Sequence, residues 1–331
     1  FNDAFVAHYH LNPTQLRRAG SAPTAGAMQV RLGYRPPLDA AALGAFFRQR
    51  QIDGVEQVTP DGAGQGFTFG RTIALQLGER THAGWLLARI DPQRSWVALQ
   101  VSDALRPLLP LVIRRVRHWL DLDADPHAIH QLLGADFPHG EGLRVPGTLD
   151  GFELAVRAVL GQQITVAAAR TLAQRLVLRW GEPIDTPHAG LHRLFPSAAC
   201  LASADTDAMG ALGIVRQRQR AIQALARAVA DGQLRLAAGG DIAATMAQLT
   251  ALPGIGDWTA QTIAMRALRW PDAFPAGDVA LHKALGLRDA PHPARAAEAR
   301  SQSWRPWRSY AVLRSWQTPP TTTPADAHQG N

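Results

Sequence analysis

Residues 252–260 have the residue types and spacing of a turn that can hold a DNA phosphate between two helices. Pro253 and Gly254 force a tight turn, Gly256 permits close backbone approach, and a second helix starts at Asp257. The first amides of that helix have no intrahelical acceptor and lie at its positive dipole end. Glycines are also common in ordinary helix–helix turns. The combination of proline, two glycines, flanking helices and basic composition favours DNA binding.

Asp278 is the carboxylate closest in sequence to this turn that opens another predicted helix. It follows Phe-Pro-Ala-Gly and starts a helical stretch at 277–285. Aspartate is a preferred N-cap residue because its carboxylate accepts a hydrogen bond from an amide of the first turn. The local sequence alone therefore predicts a capping role.

Five blocks of the chain, in order, resemble the 3-methyladenine DNA glycosylase II (AlkA-type) branch of the helix-hairpin-helix (HhH-GPD) superfamily. Residues 252–260 resemble the hairpin signature, and residues 274–281 are placed like the loop that carries the family's catalytic aspartate. The other three blocks start at residues 142, 157 and 304 and read Gly-Leu-Arg-Val-Pro-Gly, Arg-Ala-Val-Leu-Gly-Gln and Trp-Arg-Pro-Trp-Arg-Ser-Tyr-Ala. The resemblance extends from about residue 28 to residue 317.

The resemblance implies that Asp278 is the catalytic residue of a DNA glycosylase for N-alkylated purines such as 3-methyladenine and 7-methylguanine. Breaking an N-glycosidic bond develops oxocarbenium charge on the sugar, which a fixed carboxylate in a water-poor pocket stabilises. The same carboxylate can orient or deprotonate the attacking water. An abasic site for base excision repair would remain.

The resemblance also implies a base pocket in which Trp258 and Trp316 sandwich the flipped base and Phe46 lies at its edge. Alkylation makes a purine cationic, and aromatic faces attract a cation by about 1–2 kcal/mol. Trp258 could equally be a core aromatic, since a tryptophan early in a helix often packs inward. Nine tryptophans are present, and Trp304 and Trp307 are expected to pack the last helix.

Three pocket positions depart from the AlkA-type pattern by carrying small or medium side chains. They are Thr262, Val279 and Ala280. We expect an open cavity that selects by charge and stacking more than by shape, and therefore release of several alkylated purines.

Trp258 occupies the position at which superfamily members that also cut the strand carry the lysine of a Schiff base. A tryptophan cannot form an imine. The sequence therefore predicts a monofunctional glycosylase without lyase activity.

DNA contacts are implied at two places. The hairpin residues Gly254, Gly256 and Thr259 would bind phosphate, which positions a protein without reading sequence. Gln162 and Gln163 would enter the space that the flipped base vacates, although AlkA-type enzymes can carry leucine as this wedge. The partner expected is double-stranded DNA.

A cation at the hairpin is a further implication of the resemblance. Backbone carbonyls of Thr250, Leu252 and Ile255 would hold a monovalent ion. No cofactor is expected for catalysis.

The elements predicted along the chain divide it into five parts. They are a remnant of an AraC/Ada-type helix-turn-helix at 1–19, a linker at 20–27, an antiparallel α+β domain at 28–103, an all-α glycosylase domain at 104–317 and a disordered tail at 318–331. The α+β part shows strand patterns at 28–34, 66–77, 84–90 and 96–101 and a helix at 39–50. The all-α part shows helical stretches at 103–120, 126–133, 151–180, 205–231, 241–252, 257–270, 277–285 and 294–304.

Composition limits the classes of protein that fit. The 331 residues carry a formal charge of +7, for which nucleic acid is the commonest anionic partner. The single cysteine, Cys200, cannot build a disulfide framework or an iron–sulfur cluster. No long apolar run or signal peptide is present. We expect a cytoplasmic monomer without membrane contact.

Three other functions would each fit part of the sequence. A non-catalytic DNA-binding module would use the hairpin as a clamp but would not need Asp278 in an aromatic pocket. Mismatch and thymine-glycol glycosylases of this type usually need four cysteines, and oxidised-base glycosylases need the lysine that Trp258 replaces. A transcription regulator would need a complete recognition helix, which residues 1–18 lack.

Overall fold

The computed structural model describes residues 26–61 and 66–317. Its N-terminal part is one antiparallel sheet with the strand order β1-β5-β4-β3-β2. The strands are β1 (Ala27–Gly33), β2 (Glu56–Pro60), β3 (Phe67–Leu77), β4 (Arg80–Ile90) and β5 (Trp96–Ser102). Helix α1 (Ala40–Arg50) lies between β1 and β2 in sequence. The predicted antiparallel α+β domain is confirmed.

Aromatic packing fixes α1 against the sheet. The Phe47 ring centroid lies 5.7 Å from that of Phe69 in β3 and 5.5 Å from that of Trp119. Phe47 and Phe69 are both buried. Successive residues of a helix point about 100° apart, so Phe46 differs in orientation from Phe47 and packs only partly against this core. This orientation brings Phe46 to a cavity between the sheet domain and the helices.

Helices make up the rest of the described chain. They are α2 (Leu109–Trp119), α3 (Pro126–Leu133), α4 (Gly151–Leu160), α5 (Val166–Trp180), α6 (Ala198–Ala202), α7 (Thr206–Ala211), α8 (Arg216–Ala230), α9 (Ile242–Ala251), α10 (Asp257–Arg266), α11 (Val279–Ala284), α12 (Pro293–Arg300) and α13 (Arg308–Gln317), with 3₁₀ turns at Asp103–Leu108 and Ser301–Trp304. The predicted all-α domain is confirmed. Within the described ranges, none of these helices is long and apolar enough to cross a membrane.

Helix α4 is the centre of the helical domain. Nearly all of its residues are buried, and it packs against α8 and α10. Helices α9 and α10 are joined by the Pro-Gly-Ile-Gly turn, so the hairpin rests directly on the core that α4 forms.

A buried network of charges joins the sheet to α4. Arg71 of β3 donates to Glu56 of β2 at 2.5 Å and to Glu153 of α4 at 2.5 Å. Arg157 of α4 donates to the same two carboxylates at 2.9 and 2.8 Å. Burial by itself would raise the pKa of Glu153, but the guanidiniums of Arg71 and Arg157 together outweigh burial and lower that pKa. The two domains therefore meet through paired charges.

Some predicted elements differ from the structure. The helix expected at 151–180 is two helices, because residues 161–165 turn the chain and Gln163 has a left-handed φ of 55°. The helix expected at 205–231 is likewise divided into α7 and α8, and β2, α6 and α13 were not predicted. The predicted helix-turn-helix remnant and disordered tail lie outside the described residues, as does most of the linker, although Ala27 belongs to β1.

Candidate active site

A cavity of about 780 Å³ lies where α1 of the sheet domain faces α4, α5, α10 and α13. Its volume is in the range of small-molecule sites. The polar and aromatic side chains on its wall are Phe46, Gln49, Arg50, Arg157, Arg170, Trp258, Thr262, Arg266, Asp278, Trp316 and Gln317. Elements distant in sequence thus bring together Asp278, both predicted sandwich residues and Phe46.

Asp278 is buried and receives three N–H donors. Its Oδ1 accepts the Leu281 amide at 2.7 Å, which makes it the N-cap of α11, and the Trp316 indole N–H at 3.2 Å. Its Oδ2 accepts the Trp258 indole N–H at 2.9 Å. Only 9% of the residue is exposed. The carboxylate is therefore fixed in orientation on the wall of the cavity.

The three hydrogen bonds leave the Asp278 carboxylate able to accept one more hydrogen bond. An ionised carboxylate offers about four acceptor positions, and the three donors use three of them. The remaining position is on Oδ2, which has one protein donor. A water molecule or a developing positive charge in the cavity can therefore interact with this oxygen.

Trp258 connects the hairpin to the carboxylate. It is the second residue of α10, directly after the turn, and its backbone carbonyl accepts the Thr262 hydroxyl at 2.9 Å. Trp258 and Thr262 both line the cavity, so the predicted pocket role of these two positions is compatible with the geometry. The donated indole N–H is a feature that the sequence did not indicate.

Val279 was predicted to be a pocket residue, but it does not lie on the cavity wall. It is the first residue of α11 and is 73% exposed, whereas the next residue, Ala280, lines the cavity. The Asp278 side chain is directed inward, and a helical step of about 100° per residue then places Val279 outward. Ala280 takes the pocket position, and its methyl side chain agrees with the expected open cavity.

Phe46 lines the cavity, but cations cover its ring. The Arg50 guanidinium lies 3.8 Å and the Arg266 guanidinium 4.9 Å from the ring centroid. Sequence reasoning missed both arginines. Arg50 had a weak signal, since it follows Phe46 by one helical turn, whereas Arg266 comes from a distant helix and had none.

Burial weakens the charged form of both arginines. Desolvation, followed by repulsion from Arg157, lowers the pKa of Arg50 to about 10. Desolvation, followed by repulsion from Arg50 and Arg157, lowers the pKa of Arg266 to about 9. Both side chains remain charged at pH 7, so the cavity wall carries positive charge beside its aromatic rings.

The hairpin exposes the backbone that was predicted to bind phosphate. Gly254 has a φ of 77°, and a Cβ there would lie 3.0 Å from Ala221. Gly256 caps α10, and a Cβ at this position would have no neighbour within 4 Å, so its surroundings are open. Thr259, in contrast, is only 2% exposed, and its hydroxyl is engaged inside the protein. The Thr259 hydroxyl is therefore not exposed for the predicted phosphate contact.

The two predicted wedge residues have different surroundings. Gln162 donates from Nε2 to the Gly254 carbonyl and to the Thr259 hydroxyl, both at 2.9 Å, while its own carbonyl accepts Arg218 at 2.5 Å. Gln163 is exposed in its left-handed conformation. Gln162 therefore braces the hairpin, and Gln163 is the residue of the pair that is free to enter DNA.

The hairpin carbonyls are suitable in chemical type for a hard cation, which prefers oxygen ligands. Thr250 lies in the last turn of α9, where carbonyls lack intrahelical donors, and the Leu252 carbonyl accepts the Ile255 amide at 3.2 Å. An oxygen with one such bond retains a second lone pair. Across the described residues, no group of three or more histidine, cysteine or acidic side chains could hold a metal.

Comparison with known families agrees with this architecture. Residues 29–150 match the AlkA N-terminal domain, and residues 156–309 match the HhH-GPD superfamily base excision DNA repair protein. Together, the fold and the hairpin define the class of helix-hairpin-helix base excision repair proteins. The chain belongs to the DNA-3-methyladenine glycosylase 2 family: it is 33% identical over 288 residues to that protein of Escherichia coli, across 87% of this chain and 96% of the relative.

Two further comparisons extend this relationship. The chain is 39% identical over 331 residues to the "Probable bifunctional transcriptional activator/DNA repair enzyme AlkA" of Mycobacterium tuberculosis, and 96% of it spans 64% of that relative's length. The fold is shared with a 3-methyladenine DNA glycosylase from Archaeoglobus fulgidus, at a TM-score of 0.68 and 18% identity, over 86% of this chain and 96% of that one.

Proposed function

We propose that this chain is a monofunctional DNA glycosylase that excises N-alkylated purines from double-stranded DNA. The observation that carries the proposal is Asp278, a buried carboxylate that two indole N–H groups hold on the wall of a cavity large enough for a purine. Family membership and the name of the Escherichia coli relative support an alkylated purine as the substrate.

The proposed reaction is hydrolysis of the bond between C1′ of the sugar and the base. The bond's electron pair leaves with the base, and positive charge develops on the sugar ring. Asp278 stabilises that charge and orients a water molecule through the remaining acceptor position on Oδ2. The water oxygen bonds to C1′, and its proton passes to the carboxylate and then to solvent.

Access to the base requires that the nucleotide leave the stack, at a cost of a few kcal/mol. The exposed hairpin amides would hold the backbone, and Gln163 would fill the vacated space. A cationic purine would stack on the rings of Trp258 and Trp316, both of which line the cavity.

The absence of lyase activity is supported by the lysine content of the chain. Lys283 is its single lysine, an exposed residue of α11 that is not on the cavity wall. Trp258, at the position of the family's Schiff-base lysine, cannot form an imine. Borohydride treatment with alkylated DNA should trap no covalent complex. A complex that is lost in Lys283→Met would show that Lys283 is a nucleophile and would contradict the monofunctional assignment.

Three finer features belong to the same proposal. A monovalent cation would be held by the carbonyls of Thr250, Leu252 and Ile255 and would strengthen the hairpin's attraction for phosphate. The protein would act as a cytoplasmic monomer. Residues 1–19 would belong to an AraC/Ada-type helix-turn-helix, in keeping with the words "transcriptional activator" in the name of the Mycobacterium tuberculosis relative.

The test of the proposed function is release of free base from methylated duplex DNA, with 3-methyladenine and 7-methylguanine quantified separately. We expect both bases to be released and alkali-labile sites to accumulate without direct strand breaks. DNA binding with no base release would instead indicate a non-catalytic module, and release confined to oxidised bases would indicate another substrate class.

A further inference from the structure

Three arginines on the cavity wall, Arg50, Arg170 and Arg266, form no ion pair within the described residues; Arg170 is exposed, whereas Arg50 and Arg266 are partly buried. Arg157, beside them, is neutralised by Glu56 and Glu153. Arg50 and Arg266 form no ion pair with any described carboxylate. Partly buried charges without counter-charges are costly, and two of them together on a cavity wall indicate a ligand that supplies the complementary charge or acceptor.

The guanidinium groups have donors left for such a ligand. Arg50 donates from Nη1 to the Phe46 carbonyl at 3.1 Å, and Arg266 donates from Nε to the Pro146 carbonyl at 2.8 Å. Within the described chain, none of the other guanidinium nitrogens of Arg50 and Arg266 is both fully buried and without a hydrogen-bond partner. Both side chains line the cavity. Because a guanidinium has five N–H donors, several of them border the open space.

We propose that Arg50 and Arg266 form an acceptor subsite of the base pocket, which binds the exocyclic oxygen of a neutral purine such as hypoxanthine. This inference rests on the glycosylase function proposed above and assigns, within that site, the residues that favour neutral, oxygen-bearing bases. The Phe46 ring, which contacts both guanidiniums at the cavity, holds the two side chains at this position.

The subsite acts on the leaving group. When the C1′–N9 bond of a neutral purine breaks, its electron pair makes the base an anion, with charge delocalised onto the exocyclic oxygen. The guanidinium N–H groups stabilise that charge, and the anion then takes a proton from water. A cationic alkylated purine leaves as a neutral base and gains no such stabilisation. The arginines therefore favour neutral lesions, whereas the tryptophan faces favour cations.

The test compares single-turnover release of hypoxanthine, which is neutral and carries the oxygen, with release of 3-methyladenine, which is cationic and lacks it. Arg50→Met and Arg266→Met keep the aliphatic stem and remove the donors. We expect each to lower the ratio of hypoxanthine release to 3-methyladenine release by about tenfold or more. The matched control is Arg48→Met, an exposed arginine of α1 off the cavity wall, which should change neither rate.

Three results would overturn the subsite. Equal loss on both bases in folded Arg50→Met and Arg266→Met would indicate a structural role only. Weaker binding of undamaged duplex with an unchanged ratio of the two rates would indicate a phosphate contact. Arg50→Lys should keep part of the hypoxanthine rate because it keeps the charge, and a rate as low as that of Arg50→Met would count against charge stabilisation. Release of neither base by the wild type would instead refute the glycosylase function itself.

Discussion

The Asp278 carboxylate both caps helix α11 and lies on the wall of the cavity. Its Oδ1 caps α11 through the Leu281 amide, so the capping role that the local sequence predicts is present. The same bond helps to fix the carboxylate on the cavity wall, where Trp258 donates to Oδ2. Rigid placement before the substrate arrives avoids reorganisation during the reaction, which is the basis of electrostatic catalysis.

Replacement of the carboxylate tests this directly. Asp278→Asn should reduce base release by at least about 1,000-fold while it leaves DNA affinity within a few-fold, because phosphate contacts do not depend on that charge. Single-turnover release and equilibrium binding on the same methylated duplex are the measurements. Turnover near the wild-type rate would remove Asp278 from the mechanism.

Two substitutions of Trp316 distinguish its hydrogen bond to Asp278 from its proposed stacking on the base. Trp316→Phe keeps an aromatic face but loses the N–H bond to Asp278, so it should slow release of every base by about tenfold. Trp316→Ala also removes the face and should add a further loss on cationic bases such as 7-methylguanine, with less effect on hypoxanthine. An equal additional loss on both bases in Trp316→Ala would contradict the stacking role.

Functional residues near a distinctive turn could be predicted from the sequence, whereas the partners that their side chains contact could not. Asp278 and Trp258 could be nominated because proline and glycine mark the hairpin and family resemblance identifies the aspartate loop after it. The placement of Arg266 beside Phe46 depends on packing between two domains, which no local pattern encodes. The outward direction of Val279 likewise depends on the cap at Asp278, a detail of geometry.

At the scale of elements, the hairpin is held from one side and open on the other. Gln162 ties Gly254 to Thr259 across the turn, and Ala221 of α8 packs beneath Gly254. Gly256 has no protein neighbour within 4 Å of the Cβ position. The open side is therefore the one on which a DNA backbone can approach closely.

Gly256→Val is the cleanest test of the hairpin. The φ of Gly256 is −87°, which valine adopts without strain, and the site is open, so the fold should be retained. A side chain there would obstruct a phosphate, so binding to damaged and undamaged DNA should weaken alike, by about tenfold or more. The measurement is equilibrium affinity for both duplexes, together with thermal unfolding of the free protein.

Gly254→Val is the companion variant with a different expectation. Its left-handed backbone and its contact with Ala221 make valine unfavourable within the protein, so both stability and DNA binding should fall.

If Gly256→Val weakened binding only to damaged DNA, the hairpin would recognise the lesion rather than the backbone.

The break between α4 and α5 shows where periodicity misleads. The apolar pattern continues through 151–180 and predicts a continuous helix. Gly161 ends α4, Gln163 takes a left-handed φ and Thr165 caps α5 by accepting the Ala168 amide. Each signal is weak alone, because a single glycine or threonine is tolerated inside a helix. The break exposes Gln163, the residue that the proposed function places in the space left by the flipped base.

At the scale of the whole molecule, the charged junction determines how the two domains meet. The cavity includes α1 from one domain and α10 and α13 from the other, so its shape depends on that junction. Glu153 and Arg71 are both almost fully buried, and removal of one member leaves an uncompensated charge. Stability and pocket geometry should therefore change together when the network is disturbed.

Glu153→Gln should destabilise the protein by about 3–5 kcal/mol at pH 7, since Arg71 and Arg157 lose a shared carboxylate. The folded-state pKa of Glu153 lies below its ordinary value of 4.5, so its contribution is present above that pH and is lost as the pH falls through the folded pKa. The difference in unfolding free energy between wild type and variant should therefore shrink below about pH 4.5. Urea unfolding across this range measures it. Asp103→Asn, which removes an exposed pair with Arg106, is the control and should cost less than about 1 kcal/mol. A wild-type-to-Gln difference that stayed constant with pH would show that the ionised form of Glu153 does not stabilise the junction.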